Sequence, residues 1–444
     1  MRVAERFSLD TGLVDCSVYD PDVYESEMEA VFRTSWLFVG HVQQVPRTLD
    51  YVTTWMGETP VILLRGADDI LRVFVNACST AYSRFVRCDA GVAIHLDCPS
   101  HRRSYDTAGR LLGGIDNADL PPCLVQAGGV DVFGGLVFGT LRAPTMTLLD
   151  HLGDAAWYLD NYLLREDIGG LELVPDVHRY AMPGNWKLLA ENFAGDDYHV
   201  AITHASVLSL RAQGVEPRLI NSPAKGIGAN LSVATGYRNG VPHGFLEVRV
   251  GEEFYEHDLA RAQTLSQAAG DWVRTRRASI DERLPELSIK PYSFHVGNVF
   301  PTLSIVGNGT AMEAVGLLVW HPRGPYETVV SQYSFVDAGA PRVLKEQMCF
   351  SITHQQAAAG IFAPDDHENF ERLSENTRTR QARFVPFNYE MGLQGEGVDV
   401  RPLEWQNPAW PGLVLPRFTE MIQREFYRYW GEVMADSGQD GGHV

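Results

Sequence analysis

The chain has 444 residues, 45% of them hydrophobic and 21% charged, and a formal net charge of −19. That length exceeds one ordinary core, so two domains are expected, and the composition is globular, without low-complexity tracts or short repeats. The negative charge argues against nucleic acid or an anionic membrane held by a general electrostatic field, with Arg102 and Arg103 as a local basic pair. Residues 1–10 lack the apolar core of a signal peptide and no stretch is apolar for long enough to span a bilayer, so a cytoplasmic location is expected.

In chain order, Val23, Met28, Val31 and Phe32 recur at helical spacing and predict a helix over 20–33. From 36 to about 141, short β-type runs at 52–56, 60–64, 71–75, 93–96 and 136–138, separated by Gly, Asp and Asn turns, predict a small antiparallel β domain. Beyond the Arg142-Ala-Pro boundary, residues 148–164 and a stretch within 185–204 read as helical. Strands are expected at 245–250, 298–305, 314–320 and 328–335, and helices at 257–278 and 416–434. The fold class is therefore α+β: an N-terminal helical segment 1–36 packed on the larger domain, a β domain 37–145, and a larger domain 146–444 with an antiparallel sheet flanked by helices.

Six scattered cysteines suggest thiols or metal ligands rather than a disulfide framework. Cys78 and Cys98 are candidates for chemistry, whereas Cys16, Cys123 and Cys349 lack partners at ligand spacing and read as buried small hydrophobes. No Gly-rich dinucleotide fingerprint follows a strand, so no nicotinamide or flavin site is expected.

The densest chemical signal runs from Glu191 to His204, where His199 and His204 follow closely on Asp196 and Asp197. Imidazole suits Fe(II), Zn or Cu, and two neutral imidazoles with one carboxylate make a facial triad that leaves the opposite face of the metal free for oxygen and substrate. A spacing of five is too long for one α-helical face, so a π-turn or a helix end near Ala201 is needed to bring the two rings together. The carboxylate is sought in the acidic run 365–369.

These pieces resemble the large (α) subunit of the Rieske-type ring-hydroxylating oxygenases. The family's iron motif is matched by Glu191, Asn192, Gly195, Asp196, Tyr198, His199 and His204, and its distant carboxylate by the pair Asp365 and Asp366. The likeness continues through 298–305, 320–325 and 426–430. By resemblance, His199, His204 and Asp366 ligate a mononuclear non-haem Fe2+, Asp365 is the second choice of ligand, Asp196 couples the iron to a redox centre on a neighbouring subunit, and Asn192 is a further catalytic candidate. Phe193, Val200, Ala201, Val207, Leu208, His295, Asn298 and Phe300 are the substrate-pocket candidates.

The same resemblance implies a [2Fe–2S] cluster on two loops, Cys-x-His and Cys-x-x-His, with two thiolates on one iron and two imidazoles on the other. Cys98 and His101, followed by Tyr105 and Gly109, match the second loop. In the first loop Cys78 is present but Thr80 stands in place of histidine, and the basic and glycine positions after it have changed; Arg102 and Arg103 replace the Gly-Trp that follows the second loop's histidine. A hydroxyl is a poor ligand beside imidazole, so no stable cluster is expected, with His95 and Cys88 as the nearest substitutes.

The expected function is hydroxylation or dihydroxylation of an aromatic or other apolar small molecule with O2, in a trimeric ring. Electrons would come from an intact α-like subunit, a ferredoxin or a reductase, and a β subunit is a further candidate partner. The alternatives are a Rieske-independent iron oxidase of a biosynthetic pathway, a structural partner of an intact α subunit, and a metal-dependent hydrolase, for which no base or phosphate-binding motif is present.

Overall fold

The computed structural model describes residues 7–8, 11–78, 82–114, 123–212, 229–307, 309–395, 399–401 and 405–436. The chain falls into two compact units, residues 25–151 and residues 1–24 with 152–444. Beside the sequence-based division at 37 and 146, residues 25–36 group with the β-rich unit, so the helix Pro21–Ala30 is shared between the two groupings. Among the described residues, no helix is long and apolar enough to cross a membrane.

The unit 25–151 is built from antiparallel hairpins. One four-stranded sheet has the order Leu71–Val75, Thr59–Arg65, Asp50–Met56, Ala90–Val92, and two three-stranded sheets accompany it. Its core gathers Ile62, Leu64, Phe74, Leu96 and Tyr105, the inward residues of alternating strands. The strand expected at 93–96 is instead the bend between Ala90–Val92 and Leu96–Asp97. Ala93 and Leu96 are buried while Ile94 and His95 are both exposed, and two successive outward side chains break the period of two.

The other unit is organised on a ten-stranded antiparallel sheet. Along its main path Leu171–Leu173, Thr328–Asp337, Val315–Pro322, Leu303–Gly307, Val296–Val299, His243–Val250, Ala229–Thr235 and Leu413–Leu415 lie side by side. The single strand expected over 298–305 is a hairpin that pairs Val299 with Leu303, because the chain turns back through Phe300, Pro301 and Thr302. These turn residues are buried, so no polar cluster announced the turn. The helix expected over 257–278 is two, Glu252–Leu265 and Gln267–Arg283, separated by Ser266, whose hydroxyl caps the second by accepting from the Ala269 N–H at 3.1 Å. Over 148–164, Gly153 (φ +48) interrupts the expected helix. Helices Arg342–Gln355 and Ala363–Thr377 were not expected.

The helix Trp186–Gly195 sets the position of the two histidines beyond its end. Asn185 caps it by accepting from the Lys187 N–H at 3.0 Å, a contact of about 1 kcal/mol. Nearly all of its length is buried, between the central strands of the sheet and the closing helix Met421–Asp436. Two glycines allow that approach. A Cβ on Gly195 would lie 2.1 Å from Gln423 Oε1, and one on Gly244 would lie 2.1 Å from the Ala194 carbonyl oxygen. Either would force backbone or side chain apart in a close-packed interior.

Behind this helix, Glu191 is buried among tyrosines: Tyr389 donates to its Oε1 at 2.6 Å, and the Tyr427 hydroxyl, also bonded to Glu191, lies 2.6 Å from that of Tyr19. Burial pushes the Glu191 carboxyl from 4.5 up to about 8. A raised folded-state value means that its stabilisation is complete below the unfolded value and is lost as pH rises from about 4.5 through 8. Glu191→Gln is expected to remove this loss, which is of order 4 kcal/mol at about 1.4 kcal/mol per unit. Urea unfolding at pH 5 and pH 8 reads it; parallel pH profiles for wild type and variant would contradict the assignment.

Candidate metal centre

After Gly195 the helix stops, and the chain makes one further turn, Val200–Thr203, with His199 at its N-cap and His204 at its C-cap (φ −97, ψ 23). A new helix, Ala205–Ala212, begins immediately after. The break lies at His204 rather than near Ala201, and it brings the two rings to a centroid separation of 5.4 Å.

The carboxylate arrives from the first turn of Ala363–Thr377, started by Pro364 with Asp365 and Asp366 at its positive end. Asp366 Oδ1 is 3.5 Å from His199 Nε2 and 3.2 Å from His204 Nε2. These donors lie within 4.8 Å of one another, the pattern of two imidazoles and one carboxylate. Asp365 faces elsewhere: its Oδ2 is 3.4 Å from His204 Nδ1, on the outer side of that ring. The two acids therefore have different positions, one inside the donor group and one behind it.

His199 is backed in the same way. Its Nδ1 is 2.8 Å from the Asp196 carbonyl oxygen and 3.0 Å from Asp196 Oδ1, while its backbone N–H donates to Oδ1 at 3.1 Å. Asn192 Nδ2 donates to Asp196 Oδ2 at 3.1 Å and lies 3.4 Å from His199 Nδ1. With both Nδ1 atoms engaged, both Nε2 atoms are turned to Asp366, which orients the rings and makes them better ligands. Burial opposes the charged form of His199, but the hydrogen bond and charge of Asp196 prevail and raise its pKa.

Residues that sequence reasoning missed complete the surroundings. Phe362 meets the His204 ring edge-on at 5.0 Å, Tyr180 lies 5.1 Å from the His367 ring, and Tyr198 donates to Glu420 Oε1 at 2.9 Å. Phe362 adjoins the acidic run and was within reach of a sequence argument; Tyr180 and Glu420 meet the motif only through the fold.

The pocket candidates separate. Phe193 packs on Trp320 at 5.4 Å, and Trp320 Nε1 donates to Ser304 Oγ, which donates to Asn298 Oδ1 at 2.9 Å. Phe300 is a core residue, buried against Phe426 and Tyr429 at 5.3 and 5.1 Å. Val207 is buried, Val200 and Leu208 are half-buried and Ala201 is exposed. His295 Nδ1 is 3.6 Å from the buried Glu313.

In the β-rich unit, Cys78, Cys98 and His101 form a second donor group within 4.8 Å. Thr80 lies outside the described residues. Cys88 and His95 are exposed and do not belong to the group. Tyr82 and Arg102, at the two altered glycine positions, have φ of +53 and +54, left-handed backbone that suits glycine. Arg103 is buried and its guanidinium donates to the Tyr105 hydroxyl at 3.3 Å. Of the three cysteines expected to be buried hydrophobes, Cys16 is buried and Cys349 half-buried, but Cys123 is exposed.

Comparison with known proteins accords with this architecture. Residues 153–436 match the family described as ring hydroxylating alpha subunit (catalytic domain), and residues 35–122 match the Rieske [2Fe-2S] domain. The chain is 33% identical to the chlorobenzene dioxygenase subunit alpha of a Cupriavidus species, over 97% of this chain and 93% of that one. It is 31% identical to the biphenyl 2,3-dioxygenase subunit alpha of Rhodococcus jostii, over 97% and 91%. A naphthalene 1,2-dioxygenase variant bound to phenanthrene superposes with a TM-score of 0.81 at 27% identity, covering 98% of this chain and 95% of that one. The naphthalene 1,2-dioxygenase of a Rhodococcus species bound to indole gives 0.76 at 27% identity, covering 95% and 94%. With a catalytic-domain match over more than half its length and such relatives along nearly all of it, the chain belongs to the α subunits of the aromatic-ring-hydroxylating dioxygenases, which are oxidoreductases.

Proposed function

We propose that this chain oxidises an aromatic or other apolar small molecule with O2, by hydroxylation or dihydroxylation, at one Fe(II) held by His199, His204 and Asp366. The convergence of Asp366 Oδ1 on both Nε2 atoms, from a segment more than 160 residues downstream, carries the reading. The relatives named for biphenyl, chlorobenzene and benzene support an aromatic substrate. When bound, the ion supplies oxygen activation.

The side chains divide the remaining work. Asp196 and Asn192 hold His199 by its outer nitrogen, and Asp365 holds His204 likewise, so that neither ring turns away. Phe362 covers the edge of His204, and Phe193 with Trp320 supplies an apolar surface beside the motif, suited to an aromatic ring.

The residues do not fit the cluster that the Rieske match implies. That cluster takes two thiolates and two imidazoles. The described donors are two cysteines and one histidine, and the sequence has threonine at residue 80. We therefore propose that electrons reach the iron from another subunit or protein, such as an intact α-like chain, a ferredoxin or a reductase, within a ring-shaped trimer that includes or lacks a β subunit. The same altered loops favour one second reading, a Rieske-independent iron oxidase that draws its electrons from the substrate.

Three measurements test this. Purified chain is expected to bind about one iron, lost in His199→Ala and Asp366→Ala; unchanged iron in both variants rejects the triad. Asp365→Asn is expected to keep the stoichiometry and weaken iron binding by about 10–100-fold, the cost of losing an outer-sphere partner; equal loss in Asp365→Asn and Asp366→Asn contradicts the assigned positions. In single turnovers under 18O2 with an aromatic substrate panel, labelled product is expected only when an intact α-like chain or a reduced ferredoxin is added. Product from the chain alone favours the second reading, and none under any condition removes both.

A further inference from the structure

Two loops of the β-rich unit have the same closure. Tyr82 N–H donates to the Cys78 carbonyl at 2.9 Å and Cys78 N–H to the Ser83 carbonyl at 2.9 Å; Arg102 N–H donates to the Cys98 carbonyl at 3.2 Å and Cys98 N–H to the Arg103 carbonyl at 2.7 Å. Each loop places a left-handed residue four positions after its cysteine, and the hydroxyls of Ser83 and Ser100 join the two loops. The described ends of both loops thus share one backbone closure, although the sequence departs from the family pattern at positions 80, 82, 102 and 103. Retained shape with an altered donor set raises the question of what the donors now fit.

The distances answer it. Cys78 Sγ and Cys98 Sγ are each 3.7 Å from His101 Nδ1. Around one tetrahedral zinc, with bonds of about 2.3 Å to sulfur and about 2.0 Å to nitrogen, sulfur and nitrogen are about 3.5 Å apart. In a [2Fe–2S] cluster of this class the thiolates sit on one iron and imidazole on the other, with the bridging core between them, so sulfur and nitrogen cannot share the edge of one tetrahedron. Cys78 and Cys98 are buried, and the backbone N–H groups of Ser100 and His101 donate to Cys98 Sγ, the outer support that a metal-bound thiolate takes.

We propose that Cys78, Cys98 and His101 bind a single Zn2+ ion, with a fourth position for water, and that this ion fastens the two loops together. Two thiolates balance the charge of the ion, and its soft sulfur donors select it over the oxygen-loving cations. The inference rests on the reading that these loops carry no [2Fe–2S] cluster.

The test uses the full chain, purified without chelators from zinc-supplemented medium. Metal analysis is expected to find about one zinc per chain in wild type and in His199→Ala, and at least tenfold less in Cys98→Ser. Because Cys98→Ser can also unfold the loops, the His199→Ala protein, whose loops are intact, is stripped and reloaded with Co2+. Thiolate-to-cobalt charge-transfer bands and strong tetrahedral visible bands are expected. Absence of those bands, zinc unchanged in Cys98→Ser, or a Cys78–Cys98 disulfide in the purified chain overturns the zinc site and leaves the missing cluster standing. Iron with acid-labile sulfide at these loops overturns both.

Discussion

One carboxylate oxygen reaching two imidazole nitrogens organises the catalytic unit. Asp366 Oδ1 lies 3.5 Å from one Nε2 and 3.2 Å from the other, yet Asp366 follows the histidines by more than 160 residues. For the three atoms to meet, Trp186–Gly195 must end at the right depth in the sheet and Ala363–Thr377 must start at the right point above it. The buried cap at Asn185, the glycine contacts and the apolar stacking against Met421–Asp436 are what fix the first of these. The outer contacts of Asp196 and Asp365 then set ring orientation, so the inner geometry inherits the accuracy of the scaffold.

The two units hold opposite relations between backbone and side chains. In the catalytic unit the motif residues Asn192, Asp196, Tyr198, His199 and His204 all have structural partners, and each hydrogen bond has a reason to be there. In the β-rich unit the turns persist while their occupants have changed, so Tyr82 and Arg102 accept left-handed backbone at a cost of order 1 kcal/mol each. That cost remains only where the surrounding fold over-determines the loop, as the paired backbone closures do here.

Much of this was legible in the sequence, and the limits have physical causes. The histidines were readable because a motif places them on one stretch of chain, and their spacing of five required an irregularity, which falls at His204 itself. Asp365 and Asp366 were not separable by sequence: adjacent helical residues point about 100° apart, and only the position of His204 decides which faces the ring's inner nitrogen. Alternating apolar runs located the longer strands such as Asp50–Met56, Thr59–Arg65, Val315–Pro322 and Thr328–Asp337 and missed many short ones, and the turn through Phe300, Pro301 and Thr302 is buried and carried no polar signal. Glu191 reads as an ordinary acid in the motif; that its carboxyl is pushed upward follows from burial, under residues such as Tyr389 that are distant in sequence.

The glycine contacts also carry a mechanical meaning. With Gly195 pressed on Gln423 and Gly244 pressed on the Ala194 carbonyl, the helix behind the donors has no slack into which to retreat. Under the proposed function, the size of the substrate would then be set by side chains rather than by backbone movement: by Phe193 on this helix itself, and by Trp320 and Phe362.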